Sequence, residues 1–312
     1  MYILHKLNKR YLAVNLDPVM ACNLRCKMCY FTDKDYVKKL KGQFKESELE
    51  LVAKAVFSRA LKLQLGCGTE PTLYKHLPRL VELGKQYHIP YISITTNANL
   101  LTEEKIEELL KAGLNEFTIS LHGVHKESYE NFMKKGSYEK FQNAFKAFEK
   151  LKQTYNFKVR INYTFNKDNF YELKDIFKYF SPKSFDIFQI RPIRKIGNTE
   201  YNDFDISSLE SDYPDVIKTI RETCKKNRIV LLAPNTISEL SNENVSSFVL
   251  DYTFCYVSPQ DFWKKGFNWR EQSFNDFSKS IGWSQILFKN IFKSKAELKS
   301  ISTRLNYEIE FN

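Results

Sequence analysis

Cys22, Cys26 and Cys29 lie within eight residues of one another in the segment CNLRCKMC, and they are three of the six cysteines of this 312-residue chain. Thiolates that a short loop gathers in one place can hold iron, because soft sulfur ligands suit iron–sulfur clusters. Three thiolates would bind three irons of a cubane and leave the fourth iron open to bind and activate a substrate. The spacing therefore predicts a [4Fe–4S] site with one open iron.

Two other interpretations of the three cysteines stay open. A structural zinc site takes four closed ligands, and none of the five histidines lies near the loop in sequence, so zinc would need a distant Cys or His. The thiols could also pack without binding anything. The chain is large and its first nine residues do not resemble a secretory leader, so clustered cysteines favour metal or catalysis over disulfides.

The segments that must position this loop alternate between strand-like and helix-like patterns from residue 11 to about residue 232. The predicted strands span residues 11–15, 61–65, 91–95, 117–121, 159–165 and 185–191. The predicted helices span 46–60, 77–87, 138–152, 170–179 and 214–226, and one more lies between its N-cap Thr102 and its C-terminal Gly113. Strands that alternate with helices of this length predict a parallel α/β fold.

Polar motifs follow three of the predicted strands. The segment 66–71 (GCGTEP) follows the second strand, 95–98 (TTNA) ends the third and 120–123 (SLHG) ends the fourth. Right-handed crossovers bring the carboxyl ends of parallel strands to one edge, where the ligand loops of α/β folds lie. We expect the three motifs to meet the cysteine loop at that edge.

The CxxxCxxC loop after the first strand and the three strand-end motifs together resemble the radical S-adenosylmethionine (radical SAM) superfamily over residues 11–191. The segment 68–71 (GTEP) is similar to the family's GGEP motif, with Thr69 where the family has a second glycine. The resemblance implies an α/β fold, a partial (β/α)6 TIM-type barrel, and an enzyme with a [4Fe–4S] cluster and S-adenosylmethionine (SAM) as cofactors. In such enzymes the cluster passes one electron to SAM, and the resulting 5′-deoxyadenosyl radical abstracts hydrogen from the substrate.

The resemblance also implies which residues contact SAM, namely Met28, Gly68, Thr69, Glu70, Asn97, Ser120, Asn162 and Arg191. Met28 would lie against the adenine, and the Gly68 loop would bond the methionine ammonium. Asn97 and Ser120 would contact the ribose or the carboxylate, although both residue types also favour turns. Core packing is the alternative role for Met28, and a surface ion pair is the alternative for Arg191. The motifs leave the catalytic group for the substrate unknown.

The chain changes character after residue 232, which predicts a core barrel over 1–232 and an aromatic, lysine-rich extension over 233–312 that packs on the barrel. The extension offers only Cys255, with Cys224 just before it. Two thiols cannot hold a further cubane, so we expect a single cluster and no complete SPASM or twitch extension. Cys255 could donate a hydrogen atom to a substrate radical, but packing is the more common role of a single cysteine.

Charge and hydropathy bear on the partners. Lys and Arg number 48 against 37 Asp and Glu, for a net charge of +11, which favours anionic partners, although the basic residues are spread along the chain. No apolar run approaches the roughly 20 residues of a membrane helix, so we expect no membrane partner and a cytoplasmic location. A peptide or small metabolite is the favoured substrate, with an RNA-modifying enzyme as the alternative. Flavodoxin or ferredoxin is the electron donor that the resemblance implies.

Overall fold

The structure is a computed structural model, and it describes residues 1–195, 197–234, 236–237, 252–289, 291 and 308–309. Within these residues, no helix combines the length and the apolar character that a membrane span requires.

One nine-stranded sheet organises the fold. The strands of the chain are β1 (Leu12–Leu16), β2 (Arg25–Cys26), β3 (Ala60–Leu65), β4 (Tyr91–Thr96), β5 (Glu116–Leu121), β6 (Met133–Lys134), β7 (Lys158–Phe165), β8 (Ile187–Pro192), β9 (Val230–Ala233), β10 (Phe254–Val257) and β11 (Glu308–Ile309). The sheet order is β10-β1-β3-β4-β5-β7-β8-β9-β11, and β2 pairs with β6 apart from it. All neighbours from β10 to β9 are parallel, and β11 is antiparallel to β9. The six predicted strands are therefore confirmed, in the order of a partial TIM-type barrel.

Helices follow most of the strands, as the alternating pattern predicts. They are α1 (Tyr2–Lys6), α2 (Lys34–Lys39), α3 (Leu49–Val56), α4 (Leu77–Gln86), α5 (Glu103–Ala112), α6 (Lys126–Phe132), α7 (Tyr138–Leu151), α8 (Ile176–Tyr179), α9 (Tyr213–Lys226), α10 (Phe274–Ser280) and α11 (Trp283–Lys289). Thr102 caps α5 by accepting from the backbone N–H of Lys105, and Gly113 ends the helix with φ at 105°. Both predicted signals are confirmed.

Two predicted helices are shorter in the structure. Residues 46–60 contain α3 between two 3₁₀ turns, and residues 170–179 hold a 3₁₀ helix (Tyr171–Asp175) before the single turn of α8. In both segments the spacing of apolar residues does not distinguish an α-helix from a 3₁₀ helix. Short 3₁₀ turns are common at the ends of α-helices.

The two faces of the sheet differ in polarity. Leu63, Ile94 and Ile119 are fully buried on one face, under helices such as α7, whose Phe148 packs on Phe117 with ring centroids 5.0 Å apart. The opposite face, which we call the inward face, carries alternate polar residues of β3, β4, β5, β7 and β8. They are Lys62, Gln64, Ser93, Thr95, Glu116, Thr118, Ser120, Arg160, Asn162, Gln189 and Arg191. A barrel interior lined in this way suits a polar ligand.

The C-terminal part of the chain contributes β10 to the sheet beside β1, a strand that the sequence analysis missed. Around it, Trp263, Phe274 and Trp283 pack on one another, and the Trp283 indole donates to the Tyr11 hydroxyl over 3.0 Å. Residues 238–251 and 292–307 of the proposed extension lie outside the described residues. The division of the chain after residue 232 stays a prediction.

Candidate active site

Loops from the carboxyl ends of β1, β3, β4 and β5 enclose a cavity of about 190 Å³. Its lining includes most of the residues selected from the sequence: Cys22, Cys26, Met28, Cys29, Gly68, Thr69, Glu70, Asn97 and Ser120. The three strand-end motifs therefore meet the cysteine loop at this cavity, as expected. Asn162 and Arg191 do not line this cavity.

The cysteine loop is held by its own backbone. The Cys29 N–H donates to the Cys26 carbonyl over 2.9 Å, and Cys26 lies in β2, paired with Met133 of β6. The Leu24 N–H points at the Cys22 sulfur over 3.4 Å. These contacts fix the loop so that three thiols face one cavity.

Burial sets the protonation of these thiols. It raises the pKa of Cys22 to about 12, and it also raises the pKa of Cys26 and Cys29. Cys29 also raises the pKa of Cys22, and both raise the pKa of Cys26, since thiolates repel each other in a space that excludes water. Thiolates at this position therefore need positive charge, and iron would supply it.

The chemistry of the donor set bears on the kind of metal centre that it suits. Three cysteine sulfurs line the cavity, and thiolates are the usual ligands of iron–sulfur clusters. A structural zinc ion needs its ligands around one point, whereas a cubane spreads its thiolates over different irons. The residues present thus fit a [4Fe–4S] cluster.

A buried carboxylate that the sequence analysis missed holds the loop after β3. Asp17 is fully buried just after β1 and accepts from the N–H of Cys67 over 2.7 Å and from the hydroxyl of Thr69 over 3.0 Å. Its second oxygen accepts from the N–H of Gly68 over 3.1 Å and from the Tyr256 hydroxyl over 2.9 Å. Its place directly after a strand and before the cysteines is the only sequence signal for this role.

Gly68 is required where it lies. The Tyr30 hydroxyl donates to the Gly68 carbonyl, and a Cβ at this position would collide with that hydroxyl. Tyr30 directly follows Cys29 in sequence. The contact therefore ties the GTEP segment to the cysteine loop, and the motif needs its glycine for close approach.

Glu70 joins the loops after β3 and β4. Its carboxylate accepts from the hydroxyls of Thr72 and Thr96, over 2.6 and 2.7 Å, and from the backbone N–H of Asn97 over 2.8 Å. Burial nonetheless raises the pKa of Glu70, because these hydrogen bonds offset only part of the lost hydration.

Asn97 continues the connection to the cysteine loop. Its Nδ2 donates to Asn23 Oδ1 over 2.8 Å and lies 4.0 Å from the Cys22 sulfur. Its Oδ1 accepts from the Asn99 N–H over 3.0 Å. Asn97 thus performs the turn role considered from the sequence and also faces the cavity.

Two buried polar atoms near the cavity have no hydrogen-bond partner, the Nδ1 of His122 and the Oδ1 of Asn162. Burial, assisted by the charge of Arg191, lowers the pKa of His122 to about 4, so its ring is neutral near pH 7. Asn162 lies beside Ser120 in the sheet register. Unpartnered polar atoms in a buried site are expected where a ligand completes the hydrogen bonding.

The remaining residues of interest lie apart from this site. Arg191 is exposed at the end of β8, in register with Thr164. Cys255 is fully buried in β10 beside Val14, and Cys224 is buried in α9. Their burial favours packing over hydrogen-atom donation. Cys67, in contrast, is exposed and lines the cavity.

Comparison with known proteins identifies related sequences. The model of the radical SAM superfamily matches residues 18–180. An S-adenosylmethionine-dependent nucleotide dehydratase of Lacinutrix mariniflava is 28% identical over 67% of this chain and 44% of its own length. A GTP 3′,8-cyclase of Clostridium botulinum is 30% identical over 67% of this chain and 66% of its own length. The chain thus spans less than two thirds of these curated relatives.

Solved structures share the fold. The crystal structure of SuiB of Streptococcus suis bound to S-adenosylmethionine matches with a TM-score of 0.63 at 18% identity, covering 88% of this chain and 67% of that one. Native anSMEcpe with bound AdoMet and a peptide matches with a TM-score of 0.54 at 21% identity, covering 71% and 63%. At these identities the likeness shows the fold alone.

Proposed function

The chain belongs to the radical SAM superfamily, and on that premise we propose that it cleaves S-adenosylmethionine reductively at a [4Fe–4S] cluster held by Cys22, Cys26 and Cys29. When bound, the cluster supplies the electron that breaks the C–S bond of SAM, giving methionine and a 5′-deoxyadenosyl radical that takes hydrogen from the substrate. The observation that carries the proposal is the cavity that the three partly buried thiols share with the strand-end motifs.

The chain's own residues would bind and orient SAM. Asp17 fixes the loop of Gly68 and Thr69, and Glu70 fixes the backbone of Asn97 beside the cysteines. Met28 and Ser120 line the same cavity, and Asn162 offers an unpartnered oxygen one strand away. We assign these residues to SAM binding. Arg191 is assigned to the SAM carboxylate or a substrate anion, since its charge reaches His122 at the cavity.

The proposed substrate is a small polar metabolite or a peptide. The polar inward face supports such a molecule, and the related sequences include a nucleotide dehydratase, while SuiB has been crystallised with its precursor peptide SuiA. RNA has weaker support, because Trp263, Phe274 and Trp283, which could have stacked on bases, pack against one another. A flavodoxin or ferredoxin as electron donor and a cytoplasmic location complete the proposal.

Anaerobic reconstitution tests the proposal. We expect a brown protein with about four irons per chain that forms 5′-deoxyadenosine from SAM under reduction. Stoichiometric zinc in place of iron, together with no 5′-deoxyadenosine, would refute it and favour the zinc-binding alternative.

A further inference from the structure

One ion pair on the inward face joins a buried carboxylate to a partly buried guanidinium through several hydrogen bonds. Arg160 donates from Nε and Nη2 to the two carboxylate oxygens of Glu116, over 2.9 and 3.1 Å. The hydroxyls of Tyr91 and Thr118 donate to the same carboxylate, and Arg160 Nη1 donates to Gln189 over 3.3 Å. Glu116 and Arg160 therefore cancel each other's charge, and three of the five N–H donors of Arg160 are used within the sheet.

Lys62 lies on the same face, in register with Tyr91, and is one of two cations there outside that pair, the other being Arg191 near the carboxyl end of β8. No carboxylate of the described residues lies within 4 Å of its ammonium, which instead lies 5.8 Å from the centroid of the Tyr91 ring. Burial lowers the pKa of Lys62, and Glu116 and Cys67 partly oppose that shift. Lys62 and Cys67 belong to β3 and the loop that follows it, and Cys67 lines the cysteine cavity.

A hydroxyl without a hydrogen-bond partner lies on the same face as Lys62. Ser93 is only 1% exposed, and its Oγ has no hydrogen-bond partner. Ser93 belongs to β4, in register with Gln64 of β3 on one side and Glu116 of β5 on the other. It therefore lies two residues along β4 from Tyr91, the register partner of Lys62. A buried hydroxyl without a partner, on the same face as a cation with no described carboxylate within 4 Å, is expected where a ligand supplies the missing acceptor.

We infer that the inward face is a substrate pocket for a small anionic metabolite, whose phosphate or carboxylate group binds Lys62 and accepts from the Ser93 hydroxyl. The inference rests on the proposed function and narrows its substrate class. The anion would be anchored deeper in the barrel than the cysteine cavity, so the uncharged part of the molecule would face the site of SAM.

Anion binding to the reconstituted, SAM-loaded protein tests this pocket. Inorganic pyrophosphate and malonate would be titrated by calorimetry into wild type, Lys62→Met, Lys62→Arg and Lys54→Met, where Lys54 is an exposed lysine of α3. We expect wild type to bind at least one anion saturably, and Lys62→Met to bind it about tenfold more weakly or not at all. Lys54→Met should stay within about threefold of wild type, and Lys62→Arg, which keeps the positive charge, should bind more tightly than Lys62→Met.

The outcomes separate cleanly. Preference for pyrophosphate identifies a phosphorylated metabolite and preference for malonate a carboxylated one, and either supports the pocket. Absence of saturable binding to wild type, or unchanged binding to Lys62→Met, overturns it. Should Lys62→Met unfold, Ser93→Ala gives a second measurement, with weaker anion binding at unchanged SAM affinity expected. Formation of 5′-deoxyadenosine without substrate, measured in the same samples, reports on the proposed function alone, because Lys62 is not assigned to SAM.

Discussion

The loop end of the sheet and its inward face both bury carboxylates, but they satisfy them differently. Asp17 and Glu70, at the loop end, have no described Lys, Arg or His within 4 Å and accept only from N–H and hydroxyl groups. Glu116, on the inward face, is paired with Arg160. Hydrogen bonds that come from different loops fix the positions of those loops, whereas the pair of Glu116 and Arg160 joins β5 to β7, and removal of one partner leaves the other charge unpaired. The loop end is therefore built for positioning and the inward face around Glu116 for stability.

The largest expected effect belongs to the cysteine loop. Cys26→Ala removes one of three cluster ligands, so we expect most of the roughly four irons per chain to be lost and 5′-deoxyadenosine formation to fall at least about 100-fold. Cys67→Ala is the matched control, because Cys67 lines the same cavity outside the CxxxCxxC motif. Iron analysis and product assay measure both. Equal iron loss in the two variants would show that Cys67 is a ligand and that the cluster is closed.

Replacing the carboxylates separates the two regions. Glu116→Gln leaves the partly buried Arg160 without its counter-charge and should cost at most about 3–5 kcal/mol of stability while SAM affinity stays unchanged. Asp17→Asn removes acceptors from the loop of Gly68, so we expect a smaller cost, about 1–3 kcal/mol, and a SAM affinity at least about tenfold weaker. Urea unfolding and SAM titration give both quantities. A loss of SAM affinity in Glu116→Gln but not in Asp17→Asn would reverse the comparison.

The pH dependence of stability should differ in sign between the regions. Burial alone would raise the pKa of Glu116, but the hydrogen bonds and charge of Arg160 lower it overall, so its stabilisation is present above about pH 4.3 and lost as pH falls through the lower folded value. The stability difference between wild type and Glu116→Gln should therefore shrink in acid. Burial raises the pKa of Glu70. The stability of wild type should therefore increase relative to that of Glu70→Gln as the pH falls through the raised folded value. Parallel pH profiles for the two variants would contradict this.

The smallest expected effect tests the link from the C-terminal strand to the loop end. Tyr256→Phe removes one of the hydroxyls that donate to Asp17, which should cost about 1 kcal/mol and weaken SAM binding a few-fold. Tyr36→Phe, at an exposed tyrosine of α2, is the control and should change neither quantity. An unchanged SAM affinity in Tyr256→Phe would show that β10 supports the sheet without positioning the loop.

The sequence predicted the parts of the site that follow from strand ends and spacing. The cysteine loop and the segments at Gly68, Asn97 and Ser120 meet because parallel strands bring their carboxyl ends to one edge. Asp17 and its bond to Tyr256 could not be predicted, because the two residues are far apart in sequence and β10 is a short apolar run without periodicity. Lys62 was also missed, because the sequence does not show that Glu116, the acidic residue near it on this face, is paired with Arg160 instead.

The central claim is that three thiolates hold a cluster with one iron open to SAM, and electron paramagnetic resonance tests it most directly. The reduced, anaerobically reconstituted protein should give the signal of a [4Fe–4S]⁺ cluster, and addition of SAM should shift that signal, because SAM changes the coordination of the open iron. A cluster signal that SAM leaves unchanged would mean that a fourth side chain closes the cube, and the account would be wrong.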